Sequence, residues 1–210
     1  TYGQPQKLPI TEDHPQEPIN PYGSTKLAIE LMLKDLSASH GMKYFILRYF
    51  NAAGADPNGE IGERHNPETH LIPIILEAIL NEEQKVPVYG VDYETADGTC
   101  VRDYVHVMDL ADAHSMAVNF LNEMENYHEI FNLGIGKGVS VMELIKTFEK
   151  VNQVSIAFKI EKRREGDIDE FYADNSKSIK VLGWTPKRNL EDMCKSAWVF
   201  HRKSKKNKSA

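Results

Sequence analysis

Tyr22 and Lys26 are the residues of this chain best suited to do chemistry. They stand four apart in Asn20-Pro21-Tyr22-Gly23-Ser24-Thr25-Lys26, so on a helix they share one face. A tyrosine of ordinary pKa, about 10, is a poor base at neutral pH. An ammonium close by favours the phenolate. The pair therefore offers a phenol able to take and return a proton near working pH. Taken alone, Tyr-x-x-x-Lys equally describes a solvated tyrosine beside a surface lysine. Its meaning depends on the helix that carries it and on what the rest of the chain brings near.

That helix is well signalled. Pro21 suits a first helical position, having no N–H to waste and a preset φ. The run from Leu27 to Leu36 is rich in helix formers, and His40-Gly41 is a natural stop. Apolar positions spread around much of its circumference, which predicts packing on two sides. Upstream, residues 4–20 contain four prolines and read as an irregular surface loop. Downstream, Met42 to Phe50 is a short apolar run between Gly41 and Asn51–Gly54, which predicts a buried strand of a parallel sheet. Asn51 then falls at the strand's carboxyl end, where ligands of open α/β sheets collect. Further helices are expected over about 69–81, from Asp109 as N-cap to about 122, from a Ser140-x-x-Glu143 capping box to about 152, over 176–182, and from Leu190 to about 202. Strands are expected at 86–89, 104–107, 130–133 and 155–160, with a tight turn at Asp97-Gly98. His106 and Asp109 read as structural, a strand-end and an N-cap residue.

Composition narrows the function classes. The apolar share of 41% and charged share of 27% are those of an ordinary globular chain. A net charge of −6 argues against a general nucleic-acid binder. No apolar run reaches membrane-spanning length and no signal peptide opens the chain. Cys100 and Cys194 make no disulfide framework and fit a reducing compartment, so a cytoplasmic location is expected. The eight histidines are scattered, and no metal cluster is expected.

Other polar residues have two readings each. Arg102 and Arg164 carry planar forks that can grip phosphate oxygens, or can pair internally with Asp103, Glu165 or Asp167. Asn51 can be a ligand or an Asx-turn residue. Tyr89 can stack on a planar ligand or fill a small core.

Several segments together identify a family. Tyr22-Gly23-Ser24-Thr25-Lys26 resembles the active-site helix of the short-chain dehydrogenase/reductase superfamily, in its extended branch of sugar-nucleotide enzymes. Leu47-Arg48-Tyr49-Phe50-Asn51-Ala52-Ala53-Gly54, then Asp97-Gly98-Thr99-Cys100-Val101-Arg102-Asp103-Tyr104-Val105-His106-Val107, then Arg163-Arg164-Glu165-Gly166-Asp167, follow in that branch's order. The resemblance covers nearly all of the chain except its basic end. It implies an α/β fold: the C-terminal part of a Rossmann-like parallel sheet plus a small mixed α/β substrate-binding domain. Residues 1–54 are expected to belong to the NAD-binding domain with its active-site helix. Residues 55–202 are expected to bind mainly the UDP-sugar, with some segments returning to the sheet, and 203–210 to be a disordered basic tail.

The resemblance also assigns roles. Tyr22 becomes the catalytic acid/base, Lys26 the residue on the nicotinamide ribose, and Phe50 a residue lining the nicotinamide. Asn51, Arg102 and Arg164 are implied ligands of the UDP phosphates and ribose, Asp167 an acceptor from ribose hydroxyls, and Tyr89 a stacking partner of uracil. His70-Leu71 stands where the branch often has Asn-Leu contacting the nucleotide, so the histidine is a departure. Phe171 fills a position that tunes the sugar pocket, and its bulk implies exclusion of an N-acetyl group. The implied cofactor is NAD, the implied activity 4-epimerisation of UDP-glucose and UDP-galactose, and the implied assembly a homodimer. A sister dehydratase or epimerase shares the Tyr-Lys helix, and a nucleotide-sugar-binding remnant is the non-catalytic reading. No G-x-x-G-x-x-G or G-x-G-x-x-G loop occurs in the sequence, and the family's catalytic serine or threonine would precede Thr1. The expectation is a C-terminal portion of a longer protein, inactive by itself.

Overall fold

The computed structural model describes residues 1–206 apart from Glu82 and Asn126, with the side chains of 205 and 206 also left out. Its organising line is an extended stretch that changes partners. Strand β1 (Tyr44–Tyr49) pairs in parallel with β6 (His128–Leu133), Ile46 opposite Ile130 and Tyr49 opposite Leu133. One residue later β2 (Asn51–Ala53) pairs in parallel with β5 (Tyr104–His106), Asn51 opposite Tyr104. The Phe50 N–H still donates to the Leu133 carbonyl at 3.2 Å, and the Asn51 N–H already donates to the Asp103 carbonyl at 2.8 Å. The chain crosses from one strand pair to another between these two residues. Asn51 therefore falls just past the carboxyl end of β1, as the sequence implies, and also opens the next strand, and a break between pairs is a place where α/β sheets leave room for ligands.

Outside these pairs, β3 (Val86–Tyr89) runs parallel to β8 (Phe158–Glu161). A three-stranded sheet has β4 (Val101–Arg102) at its centre, antiparallel to β7 (Val139–Ser140) and parallel to β9 (Glu170–Phe171). The helices are α1 (Pro21–His40), α2 (Leu71–Leu80), α3 (Val107–Glu123), α4 (Val141–Asn152) and α5 (Leu190–Lys206), with a short π-helix at Ser178–Leu182 closed by Gly183 at φ 72°. The expected α/β arrangement with parallel strands is present.

Two apolar clusters hold the elements. One gathers Ile75 and Leu76 of α2, Val86 and Val88 of β3, Leu144 and Phe148 of α4, and Met193 and Cys194 of α5. The other sets Leu110 and Ala113 of α3 against Phe131 and Leu133 of β6 and Trp184. Cys100 and Cys194 are buried free thiols, and burial pushes Cys194 up to about 12, so it is an inert packing group.

Three local expectations need correction. Asp109 is not the N-cap of α3. The strand β5 runs straight into the helix, and His106 caps it by accepting the Met108 N–H on Nδ1 at 3.1 Å. Asp109 is the third residue of the helix, in its first turn and fully buried, where its carboxylate binds the Arg188 side chain at 2.5 Å and the backbone N–H groups of Lys187 and Arg188. Ser140 does cap α4 by accepting from the Glu143 N–H at 3.0 Å, but the Glu143 carboxylate lies 3.8 Å from Lys137. Residues 203–206, expected in a disordered tail, continue α5, and Lys203 Nζ donates to the Asn58 carbonyl at 2.5 Å. Residues 207–210 of that tail lie outside the described residues.

A buried carboxylate ties the switch region together. Asp103, between β4 and β5, accepts from the N–H groups of Ile135 at 2.8 Å, Gly136 at 3.1 Å and Ala173 at 3.1 Å. Burial pushes its carboxyl up to about 6 although these three donors pull the other way. A Cβ on Gly134 would stand 2.3 Å from Asp103 Oδ2, so only glycine lets the turn after β6 close on the carboxylate. The Asp103 N–H donates to the Phe171 carbonyl, and its own carbonyl accepts from Asn51. One residue thus sets the relative positions of Asn51, Arg102 and Phe171.

Candidate active site

Helix α1 begins as the sequence implies. Asn20 is the N-cap, its side chain accepting from the Gly23 N–H at 2.8 Å, Pro21 follows, and Gly41 closes the helix at φ 64°. Such a cap is worth about 1 kcal/mol. The helix is not buried on two sides, however. Gly23 is its one buried residue, and Ile29, Leu31, Met32 and Leu36 are exposed in this chain. Tyr22 is 72% exposed, and Lys26 is exposed with its Nζ 5.0 Å from the Tyr22 ring centroid. The phenol and the ammonium share one face and touch.

What fixes this helix is a polar joint the sequence reading missed. Arg48 on β1 points at α1 and forks onto Glu30, Nε to Oε1 at 2.8 Å and Nη2 to Oε2 at 2.5 Å. The two side chains are 7% and 11% exposed. Arg48 Nη1 also donates to the Tyr2 hydroxyl at 2.8 Å and to the Glu12 carbonyl at 3.2 Å. Burial pushes the Tyr2 phenol up to about 12, so it stays protonated and donates to Asn132 Oδ1 at 2.6 Å. Gln16 Nε2 completes the set on Glu30 at 2.7 Å. A bidentate, nearly dry arginine–carboxylate pair is geometrically exacting. It locks α1 to β1 two residues before Phe50 and three before Asn51.

A second group of expected residues converges on Asp167. Arg164 forks onto it, Nε to Oδ2 at 2.8 Å and Nη2 to Oδ1 at 3.2 Å, while its guanidinium lies 4.8 Å above the Tyr89 ring. Arg102 Nη2 stands 3.6 Å from Asp167 Oδ1, and its Nη1 donates to the carbonyls of Val101 and Ile168. Of the two readings offered for these arginines, the structure shows the internal pairing with Asp167. The same pairing gathers two cations, an aromatic face and a carboxylate acceptor at one place. Tyr89 is at the outward position of β3, where Val86 and Val88 point in.

Tyr93 belongs to this group and was not singled out from the sequence. Its hydroxyl donates to Asp167 Oδ2 at 3.1 Å, and Arg163 stacks over its ring at 3.9 Å. Burial and the Asp167 charge push the Tyr93 phenol up to about 12, keeping it a donor. The signal was Tyr93 shortly before the Asp97-Gly98 turn, but its partner is 74 residues away.

Phe50 and Phe171, expected at the nicotinamide and the sugar, lie ring to ring at 5.2 Å, both half-buried. Asn51 has an exposed side chain at the start of β2. Leu71 opens α2, and His70 occupies its N-cap position without a side-chain cap bond, its Nδ1 contacting Glu63. The structure thus groups Tyr22 with Lys26, Phe50 with Phe171, and Tyr89, Arg102 and Arg164 with Asp167. His70 faces a different set, Glu63, His65 and Glu68, so the histidines are less scattered than the sequence implies.

Parallel strands, a helix bearing Tyr-x-x-x-Lys that leads into β1 and a change of strand partner just after β1 define an α/β protein of the extended short-chain dehydrogenase/reductase class. The model of the GDP-mannose 4,6 dehydratase family matches residues 1–197, and the chain belongs to that family. Among curated relatives, a UDP-glucose 4-epimerase of Halalkalibacterium halodurans is 49% identical over 203 residues, spanning 96% of this chain and 60% of that protein. One of Rhizobium meliloti is also 49% identical, over 96% of this chain and 61% of its own. Among solved structures, a UDP-glucose 4-epimerase of Stenotrophomonas maltophila with bound NAD and formylated UDP-arabinopyranose superposes with a TM-score of 0.94 at 40% identity, covering 98% of this chain and 62% of that one. One of Bifidobacterium longum in complex with NAD+ and UDP gives 0.90 at 40% identity, over 97% and 61%. The chain therefore spans about 60% of the length of the curated relatives it matches.

Proposed function

We propose that the full-length protein interconverts UDP-glucose and UDP-galactose by NAD-dependent 4-epimerisation through a 4-keto sugar. The observation that carries this reading is the Lys26 ammonium held against the Tyr22 ring on an exposed helix face. The epimerase relatives at 49% identity support the choice of reaction. Lys26, an exposed cation with three donors, fits the hydroxyls of a nicotinamide ribose, and the half-buried Phe50 ring fits a flat apolar neighbour. When bound, NAD supplies the hydride acceptor and later the hydride donor.

Tyr22 takes the proton from the sugar O4 as the C4 hydride departs, and returns it when the hydride comes back to the opposite face. Lys26 stabilises the phenolate that Tyr22 carries before it takes that proton and again after it returns it. Arg102, Arg164 and Asn51 hold the UDP phosphates, Asp167 accepts from the ribose, Tyr89 stacks on uracil, and His70 with Leu71 contacts the nucleotide. Holding UDP firmly while leaving the sugar loosely bound lets the keto sugar present either face. In this division residues 1–54 serve the cofactor and most of 55–202 the UDP-sugar.

The test is product analysis of the full-length protein with UDP-galactose. Conversion to UDP-glucose is expected, whereas a 4-keto-6-deoxy product or no conversion overturns the reading. Arg164→Ala in that protein should raise the UDP-sugar KM about 10- to 100-fold with little change in kcat, because a charge-assisted pair contributes about 1.5–3 kcal/mol and serves ground and transition state alike. An unchanged KM would remove Arg164 from the phosphate site. Phe171, packed on Phe50, is a bulky side chain at the position proposed to tune the sugar pocket. UDP-N-acetylglucosamine should therefore be turned over poorly, and rates comparable to UDP-glucose would refute that role.

The protein is further proposed to act in the cytoplasm as a homodimer. Two buried free cysteines are compatible with a reducing compartment, and among the described residues no helix is long and apolar enough to cross a membrane. The exposed Ile29, Leu31, Met32 and Leu36 of α1 supply apolar surface for a second copy.

A further inference from the structure

The loop before α2 brings together four side chains that the epimerase reading does not use as a group. Glu63, His65, Glu68 and His70 offer ligand atoms that all lie within 4.8 Å of one another. Both imidazoles turn the same nitrogen, Nδ1, toward the Glu63 carboxylate. His65 Nδ1 stands 3.3 Å from Glu63 Oε1 and 3.6 Å from Glu68 Oε1, and His70 Nδ1 contacts Glu63 Oε1 directly. The two rings meet edge to face at 5.2 Å.

A tetrahedral ion with bonds of about 2.0–2.2 Å sets its ligand atoms about 3.3–3.6 Å apart, which is the spacing of His65 Nδ1 from the Glu63 and Glu68 carboxylates. His70 and Glu63 are in direct hydrogen-bond contact, and an ion entering between them replaces that bond and moves the two atoms apart. We propose that His65, His70 and Glu63 form a three-ligand site for a divalent transition-metal ion of the Zn2+ class, with Glu68 beside the fourth position. Mixed imidazole and carboxylate ligands suit Zn2+ or Co2+, whereas Mg2+ and Ca2+ prefer oxygen alone.

Glu68 is the pre-set part of the arrangement. Its side chain is 5% exposed, and it accepts from the N–H groups of His65 at 3.2 Å, Thr69 at 2.8 Å and His70 at 3.0 Å. Its Oε1 already serves two donors, so it is better placed to order a water on the ion than to be a primary ligand. The two carboxylates balance the two charges of the ion. Ligation through Nδ1 also fixes each ring's tautomer, leaving the proton on Nε2. The ion would clasp residues 63–70 onto the start of α2.

The test is titration of the EDTA-stripped protein with Co2+, read by visible absorption, with Zn2+ as competitor. One equivalent of tetrahedral Co2+, displaced by Zn2+, is expected. His65→Ala and Glu63→Gln should weaken binding at least about 100-fold, the upper end of what losing an outer-shell group costs. Zn2+ should also raise the Tm of the parent but not of His65→Ala. His65→Gln serves if the alanine variant misfolds. Absence of stoichiometric Co2+, or binding unchanged in the folded variants, overturns the site and leaves a hydrogen-bonded His–Glu cluster. Binding is read without turnover, so its failure is separate from any failure of the epimerase reading.

Discussion

Replacing Tyr22 with phenylalanine in the full-length protein lowers kcat at least ~100-fold, the scale on which a positioned acid/base group works. The substitution removes one oxygen and keeps the ring. The contact between Lys26 and that ring, at 5.0 Å from its centroid, survives, and so does the α1 start set by Asn20 and Pro21. The loss therefore isolates the proton transfer from the helix that carries it. KM should move little, because the groups proposed to hold UDP lie on β2, the start of α2, β3, β4 and the 163–167 segment rather than on α1. A fall in kcat with KM unchanged is the signature of an interaction made only in the transition state. A near-normal kcat would remove Tyr22 from its role.

Arg48→Met is the second large effect, and it acts on stability. The methionine fills most of the space but leaves the Glu30 carboxylate, 11% exposed, without its forked partner. Breaking a buried ion pair from one side costs about 3–5 kcal/mol, since the remaining charge stays desolvated. Gln16 at 2.7 Å offsets part of this, and Tyr2 keeps its bond to Asn132. Against a total of about 5–15 kcal/mol, the loss is a large fraction. Urea unfolding of both proteins measures it, and a change below about 1 kcal/mol would contradict the joint as described. The double variant Arg48→Met/Glu30→Leu should recover much of the loss, because the stranded charge goes with its partner.

These two predictions mark what the sequence could and could not disclose. The placing of Tyr22 and Lys26 on one helix face, the Pro21 start and the Gly41 stop are local, and short-range rules read them correctly. So do the parallel strand at 44–49 and the Ser140 cap. The joint that holds α1 is not local: Glu30 and Arg48 are 18 residues apart and on different elements, and Tyr2 reaches Asn132 across 130 residues. Tyr93 was missed for the same reason. The change of strand partner after Phe50 left no mark in an apolar run, because both pairs want the same residue types. Asp109 misled because an acidic residue near a helix start reads as a cap, whereas here His106 is the cap and Asp109, within the first turn, is buried against Arg188. The loop at 63–70 has no periodicity, so the meeting of His65 with His70 is visible only in three dimensions.

The central claim is geometric, and one structure of the full-length protein with NAD and UDP-glucose bound tests it most directly. The account predicts the Tyr22 hydroxyl within hydrogen-bonding distance of the sugar O4 and Lys26 Nζ on the nicotinamide ribose. Tyr22 turned away from the sugar, with another side chain on O4, would contradict it.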